Sequence, residues 1–234
     1  LYVMFVLMNT GDKRVTPSND LITTPAWAIG DQVTYALEGS IYSTGATVQW
    51  LRDGLEFFEN TCQIESLAQS VGNNGGVYIV PAFTGLGAPH WDMYARCLII
   101  GATRGTTRAH ICRAALESTA FQTRDVIEAM KHSTGLDISV LRVDGGGTAN
   151  NLLMQMQSDL LDTPILISSV EETTALGAAF LAGLALGVWD SLEEISTIWQ
   201  CRTRLEPLGT TNMEEDSYSR WKRAVELSKG WASV

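Results

Sequence analysis

Three consecutive glycines, Gly145, Gly146 and Gly147, lie in the segment RVDGGGTANN at residues 142–151, between a β-rich run and a helix-like run. Glycine lacks a Cβ, adopts positive φ at little cost, and leaves backbone N–H groups uncovered where a helix begins. A charged or flat ligand can approach such backbone closely. The segment therefore indicates a nucleotide site that includes Gly146, Gly147 and Asn150. The alternative is a turn that only packs the strand tightly against the helix, with Asn150 as the helix cap.

The glycine spacing excludes two common nucleotide motifs, because no Gly-Lys-[Ser/Thr] follows and the pattern is not GxGxxG. A second helix start, STGA at residues 43–46, also carries small side chains. Gly45 and Gln49 are one helical turn apart and share a face, where the Gln49 amide would lie beside exposed backbone. A packing glycine followed by a solvated glutamine is the alternative there.

The irregular segment 81–96 mixes proline, glycine, tryptophan and aspartate. Loops of this length are often functional, but a loop that only bridges parts of the fold explains it equally well. Asp92 and Arg96 suggest an acid and a phosphate clamp, yet an ion pair between them is the simpler prediction because it needs no ligand. No catalytic residue is assigned, since a hydrolytic triad finds no support in the three scattered histidines, His90, His110 and His132.

Apolar periodicity predicts the elements that must position these residues. In the first half it predicts strands over 5–10, 21–28, 34–37, 77–81 and 97–102, and helices over 45–54, 60–71 and 109–131. In the second half it predicts a strand, helix, strand and helix over 138–143, 150–161, 164–168 and 173–187, then a short helix over 192–199, a polar connector over 202–211 and a terminal helix over 213–231. The βαβα order implies parallel strands with crossover helices. We predict one α/β domain.

Composition narrows the function classes. The chain has 234 residues, 45 % of them hydrophobic, and a net charge of −10. That charge argues against nonspecific binding to nucleic acid or to anionic membranes. The uncharged run 173–189 is short for a bilayer span and is predicted to be a buried helix. Four cysteines far apart, without a CxxC pair, indicate free thiols in a reducing, cytoplasmic compartment and no metal site.

A series of collinear strings resembles the glycerol kinases within the FGGY carbohydrate kinases. The strings are LMNTG, LITT, YALEGS, GATVQWLRD, VYIVPAFTGLGAPHWD, HICRAALESTAFQTRDV, RVDGGGTANNLLMQMQSDLL and ETTALGAAFLAGLALG. They cover nearly the whole chain and correspond to the C-terminal half of that family. Residues 1–8 read as a strand without an initiating methionine, so we expect 1–234 to be the C-terminal kinase domain of a longer protein.

The resemblance implies a ribonuclease H-like, actin-type ATPase domain, with a mixed sheet and helices on both faces. It implies phosphorylation of glycerol by ATP with Mg²⁺, with ATP in a cleft between this domain and an N-terminal domain. Gly146 and Asn150 match positions around the adenosine, with Gly147 adjacent, while Gly45 and Gln49 match the other side of the nucleotide. Phe5 matches an aromatic residue that contacts glycerol.

Two departures limit the resemblance. Tyr2 stands where the family has the threonine of a phosphate turn, and the domain that holds the catalytic aspartate is not in this chain. We therefore expect the chain alone to be inactive and to need the N-terminal domain of the same enzyme. We also expect the full-length enzyme to form a homo-oligomer. Met213 replaces a carboxylate in the family's regulatory segment, so that regulation is not carried over. A kinase for another polyol or a pentulose, and a noncatalytic actin-like nucleotide-binding module, are the alternatives.

Overall fold

The structure is a computed structural model that describes residues 3–17, 21–209 and 212–233, without the side chains of 212–214. Tyr2 and the side chain of Met213, on which two expectations rest, lie outside the described residues. The chain divides into two compact units, Leu1–Asp137 with Thr210–Val234, and Ile138–Gly209. The assignment of residues 1–234 to one kinase domain stays a prediction.

The elements begin with three consecutive strands, after which helices and strands are mixed. They are β1 (Met4–Gly11), β2 (Ile22–Ile29), β3 (Gln32–Ile41), α1 (Gly45–Asp53), α2 (Gln63–Gln69), β4 (Tyr78–Val80), β5 (Leu98–Ile100), α3 (Arg108–Thr134), β6 (Leu141–Val143), α4 (Asn151–Leu161), β7 (Ile165–Ser168), α5 (Thr173–Ala185), α6 (Leu192–Ile198), β8 (Cys201–Leu205) and α7 (Asn212–Ser228).

An antiparallel sheet of order β1-β3-β2 and the long helix α3 form the centre of the first unit. Side chains alternate along β1, so Val6 is buried while Phe5 and Leu7 are each 57 % exposed. Central strand β3 lies close to α3, because a Cβ at Gly39 would come within 2.4 Å of Val126 Cγ1. Strands β4 and β5 pair antiparallel as a separate small sheet.

Helix α3 has clear signals at both of its ends. Thr107 and His110 form a reciprocal capping box at the start, and Gly135 ends the helix with φ 69°. Aromatic rings join α3 to α7, because Phe121 stacks on Trp221 with ring centroids 5.4 Å apart. The first unit therefore has a continuous core of sheet, central helix and terminal helix.

The second unit holds a mixed sheet of order β6-β7-β8. Strands β6 and β7 are parallel, with α4 as their crossover, as the βαβ pattern predicts. The prediction of a polar connector over 202–211 is wrong in its first part, because Cys201–Leu205 is strand β8, antiparallel to β7. Its alternating Arg202, Thr203 and Arg204 look polar in sequence because much of this edge strand is exposed.

Helix α5 forms where the sequence predicts a helix, but it is not the buried helix that was expected. Leu181 is 39 % exposed, Leu186, just beyond the helix, is 81 % exposed, and only Gly183 of α5 is buried. Trp189 covers one side of the helix, at Gly183 and Phe180, and no other side of α5 is covered within the described residues. No helix in the described ranges is long and apolar enough to cross a membrane.

Candidate functional site

The glycine turn follows β6 directly and leads into α4, as the sequence predicts. Gly145 has φ 80°, and Gly146–Ala149 form one short 3₁₀ turn before the helix. Thr148 closes the turn: it is 5 % exposed, and its hydroxyl donates to the Gly145 carbonyl at 2.8 Å. The turn is thus a defined structure at the carboxyl end of a parallel strand, where ligands collect in α/β sheets.

Gly146 and Gly147 have no structural need to be glycine within the described residues. Neither has a positive φ, and a Cβ built on either would meet nothing within 4 Å in the described parts of the chain. Gly145 has the same open space, but its positive φ favours glycine by itself. Tight packing of strand against helix therefore does not explain the two later glycines. Their backbone is open to an approaching group.

Asn150 caps helix α4. Its Oδ1 accepts a hydrogen bond from the Leu153 backbone N–H at 2.9 Å, which satisfies one of the free donors of the first turn. The ordinary role of this residue is therefore present in the structure, and contact with a ligand stays a prediction.

Two arginines beside the turn were missed by sequence reasoning. Arg202 on β8 donates through Nη2 to the Thr148 hydroxyl at 3.4 Å. The Arg142 guanidinium lies over the Trp199 ring, 5.0 Å from its centroid. The alternation of Arg202, Thr203 and Arg204 is a sequence signal for a strand, but the position of Arg202 beside the turn comes from the pairing of β8 with β7. These arginines are two cations near the glycine turn, which also carries Asp144.

The start of α1 is the second candidate, in the first unit. Gly45 is the first residue of the helix, and the Thr44 side chain makes no capping hydrogen bond to it. Thr47 is fully buried, and its hydroxyl finds no hydrogen-bond partner in the described residues. Gln49 is half-buried, one helical turn after Gly45. The ring of the next residue, Trp50, packs on the Phe83 ring, with centroids 5.2 Å apart. Helix N-termini with uncapped N–H groups favour anions.

Phe5 presents its ring on an open face of the first sheet. It pairs in register with Ser40 of β3, and its neighbours on that face, Leu7 and Ile22, are also exposed. Strand β3 ends at Ile41, shortly before Gly45, so Phe5 and the start of α1 belong to one continuous piece of the first unit. Gly146, Gly147 and Asn150 belong to the second unit.

The prediction of an ion pair between Asp92 and Arg96 is wrong, because both side chains bond to backbone. Asp92 accepts from the N–H groups of Tyr94, Ala95 and Gly230 at 2.7, 3.0 and 2.8 Å. Although burial raises the pKa of Asp92, these N–H groups bring it below its usual value. The Arg96 guanidinium donates to the carbonyls of Met93 and Ala95.

The cysteines and acidic residues show no reactive or metal-binding arrangement in the described ranges. All four cysteines are free, and burial raises the pKa of Cys97 and of Cys112 to about 11, so these two thiols stay protonated. No group of three or more His, Cys, Asp or Glu side chains could hold a metal ion among the residues that the structure describes.

Comparison with solved structures shows a shared fold along the chain. It is similar to Plasmodium falciparum glycerol kinase with ADP, at 38 % identity and a TM-score of 0.87, covering 96 % of this chain and 45 % of that one. It is also similar to gluconate kinase from Lactobacillus acidophilus, at 22 % identity and a TM-score of 0.81, over 98 % and 46 % of the two chains. The second likeness shows the fold alone. The predicted α/β, actin-type fold with a mixed sheet is confirmed.

The sequence identity to curated proteins is higher than the identity to these two solved structures. Glycerol kinase 2 of Thermotoga maritima is 57 % identical over 227 residues, which are 97 % of this chain and 46 % of that protein. Glycerol kinase of Symbiobacterium thermophilum is 56 % identical over 98 % of this chain and 46 % of its own length. This chain therefore spans about half the length of the relatives it matches. Residues 4–186 match the C-terminal domain of one family, and the chain belongs to the FGGY family of carbohydrate kinases.

Proposed function

We propose that this chain is the adenosine-binding part of a kinase that transfers the terminal phosphoryl group of ATP to glycerol, giving glycerol 3-phosphate. The observation that carries the proposal is the open backbone of Gly146 and Gly147 at the end of β6. Relatives named glycerol kinase, at 57 % and 56 % identity, support glycerol as the acceptor. The likeness to gluconate kinase supports only the fold, so no observation favours a different sugar or polyol.

In this proposal the chain contributes binding and orientation. Phosphoryl transfer depends mainly on positioning the reactants and on neutralising charge at the transferring oxygens. The glycine turn offers uncovered backbone to the adenosine, Gly45 and Gln49 offer the start of α1, and the exposed Phe5 ring offers an apolar surface to the carbon chain of glycerol. No residue of the chain is assigned as the catalytic base.

Mg²⁺ usually accompanies ATP, held by phosphate oxygens with one or two carboxylates. The resemblance carries no Mg²⁺ ligand over to a residue of this chain, so the proposal assigns none. The N-terminal domain, a homo-oligomeric assembly and a cytoplasmic location likewise rest on the sequence and the family, and we propose them on that basis alone.

Calorimetric titration of the purified chain with ADP tests the nucleotide site. Gly146→Val should weaken ADP binding more than about tenfold, or about 1.4 kcal/mol, because its side chain fills the open space over the turn. The fold should survive, since nothing in the described residues lies within 4 Å of a Cβ at that position. Gly72→Val is the matched control, because Gly72 has the same open space and no positive φ but lies outside the site. Equal ADP affinity for Gly146→Val and the original chain would remove Gly146 from the site.

Activity assays test catalysis separately from ADP binding. We expect the purified 234-residue chain to show no glycerol-dependent hydrolysis or transfer of ATP. Measurable glycerol 3-phosphate formation by the chain alone would contradict the assignment of the catalytic groups to another domain. In the full-length enzyme, a substrate panel in which xylulose is preferred to glycerol would overturn the proposed acceptor.

A further inference from the structure

A buried carboxylate in the first unit holds three side chains from separate parts of the sequence. Asp125 of α3 is 7 % exposed and accepts from the Tyr218 hydroxyl at 2.7 Å, from Trp221 Nε1 at 2.8 Å and from His90 Nε2 at 3.3 Å. A carboxylate has only acceptors, so each partner must donate. Burial above all, with the nearby Asp125 charge, raises the pKa of Tyr218, and its hydroxyl therefore keeps its proton.

Among these partners, His90 belongs to the irregular 81–96 loop. The backbone N–H groups of His90 and Trp91 both donate to the Gly87 carbonyl at 2.9 Å, which closes a tight turn over residues 87–91. Trp91 has φ 43°, an unusual value for a residue with a side chain. Such a conformation persists only where its surroundings hold it. The contact from His90 to Asp125 connects this turn to the rigid central helix.

The same turn contacts the connection between β3 and α1. The Ala88 N–H donates to the Ser40 carbonyl at 2.9 Å, and a Cβ at Gly87 would lie 2.2 Å from that oxygen, so the two backbones touch. The Trp91 ring packs edge-on against Tyr42, with centroids 6.1 Å apart. Any shift of the 87–91 turn must therefore be passed to residues 40–42, which lead into Gly45.

Helix α3 also holds the other end of this connection. Gln122, one turn before Asp125, donates through Nε2 to the Ser43 carbonyl at 3.4 Å, and both residues are buried. The β3–α1 connection is thus held by α3 directly through Gln122 and indirectly through Asp125, His90 and the loop.

We propose that His90 is a positioning residue: held by Asp125, it sets the position of the β3–α1 connection and so of Gly45 at the start of α1. The inference rests on the proposed nucleotide function of Gly45. His90 itself touches no ligand in this scheme. It acts through the packed turn, because close-packed backbone transmits displacement with little slack.

The test compares His90→Ala, Asp125→Asn and the double variant in the purified chain by calorimetric titration with ADP. His90→Ala should weaken ADP binding about fivefold, the size expected for a residue that acts through a packed network. Because both residues act through one contact, the double variant should be no weaker than Asp125→Asn alone. His90→Gln, whose amide can still donate to Asp125, should recover most of the affinity. Additive losses in the double variant would overturn the inference.

A second measurement separates positioning from general stability. Asn74→Ala removes a 2.7 Å hydrogen bond to the half-buried Glu117, away from the loop, and should lower stability without changing ADP affinity. If Asn74→Ala weakens ADP binding as much as His90→Ala does, the positioning role is wrong.

Amide NMR signals of Ser43 and Gly45 supply a readout that needs no nucleotide. They should shift in His90→Ala and return towards their original positions in His90→Gln. Unmoved signals would overturn the inference even if the original chain binds no ADP. Shifted signals together with no ADP binding by any form would leave the positioning intact and count against the proposed nucleotide site.

Discussion

The 81–96 loop and the turn at residues 144–149 are both rich in glycine, but their glycines meet very different surroundings. In the loop, a Cβ at Gly87 would lie 2.2 Å from the Ser40 carbonyl oxygen, and one at Gly85 would lie 2.7 Å from the Asp92 carbonyl oxygen. In the turn, a Cβ at Gly146 or Gly147 would meet nothing within 4 Å in the described residues. In the loop, glycine allows close packing of backbone. In the turn, Gly146 and Gly147 leave backbone uncovered.

Because their surroundings differ, the two groups of glycines separate changes in stability from changes in binding. A side chain added in the loop must displace backbone, and backbone in a close-packed interior has nowhere to go. A side chain added in the turn enters space that the described residues leave open. Substitutions in the two regions should therefore change different measured quantities.

The largest loss of stability is expected for a substitution in the 81–96 loop. Gly87→Ala should lower the free energy of unfolding by about 3 kcal/mol, because its methyl group overlaps the Ser40 carbonyl. Urea unfolding followed by tryptophan fluorescence measures it. Gly72→Ala, in open space, should stay within about 0.5 kcal/mol of the original chain. If Gly87→Ala were as stable as Gly72→Ala, the contrast between loop and turn would fail.

A smaller loss of stability is expected at Asn150, where two substitutions distinguish capping of helix α4 from contact with a ligand. Asn150→Ala removes the acceptor for the Leu153 N–H and should lower the free energy of unfolding by about 1 kcal/mol. Asn150→Asp keeps a capping oxygen and should retain that stability, yet it loses the amide donor and adds a negative charge at the proposed nucleotide site. ADP affinity should therefore fall in both variants. Unchanged affinity in Asn150→Asp, measured by calorimetry, would leave Asn150 as a cap only.

The smallest effect concerns Asp92, which holds the far end of the loop to Gly230. Its pKa in the folded state is lowered, so its contribution to stability is present above the unfolded-state value and is lost as pH falls through the folded value. As pH falls through the folded-state pKa of Asp92, the original chain should thus lose slightly more stability than Asp92→Asn. The difference is small because a partly exposed carboxylate is screened by solvent. Urea unfolding at several pH values measures it, and parallel curves would contradict the role of the carboxylate.

Several features of the site follow from local sequence rules. The start of α1 at Gly45, the cap at Asn150 and the glycine turn after β6 lie where turn, cap and periodicity signals place them. These features depend on interactions between near neighbours in the chain, and local rules describe such interactions well. Strand β8 was missed because exposed arginines hide the alternation of an edge strand. The Asp92–Arg96 pairing failed because backbone N–H groups, invisible to a charge pattern, satisfied the carboxylate.

By itself, the sequence determined the family, the order of helices and strands apart from β8, and the residue types available for a nucleotide, because these depend on composition, spacing and local backbone preference. The tertiary structure alone decided which glycines are packed and which are open, and that Asp125 gathers Tyr218, Trp221 and His90 from distant parts of the chain. Free space around a backbone and contacts between distant segments depend on how the elements pack in three dimensions. Neighbouring residues in the sequence do not specify these long-range contacts.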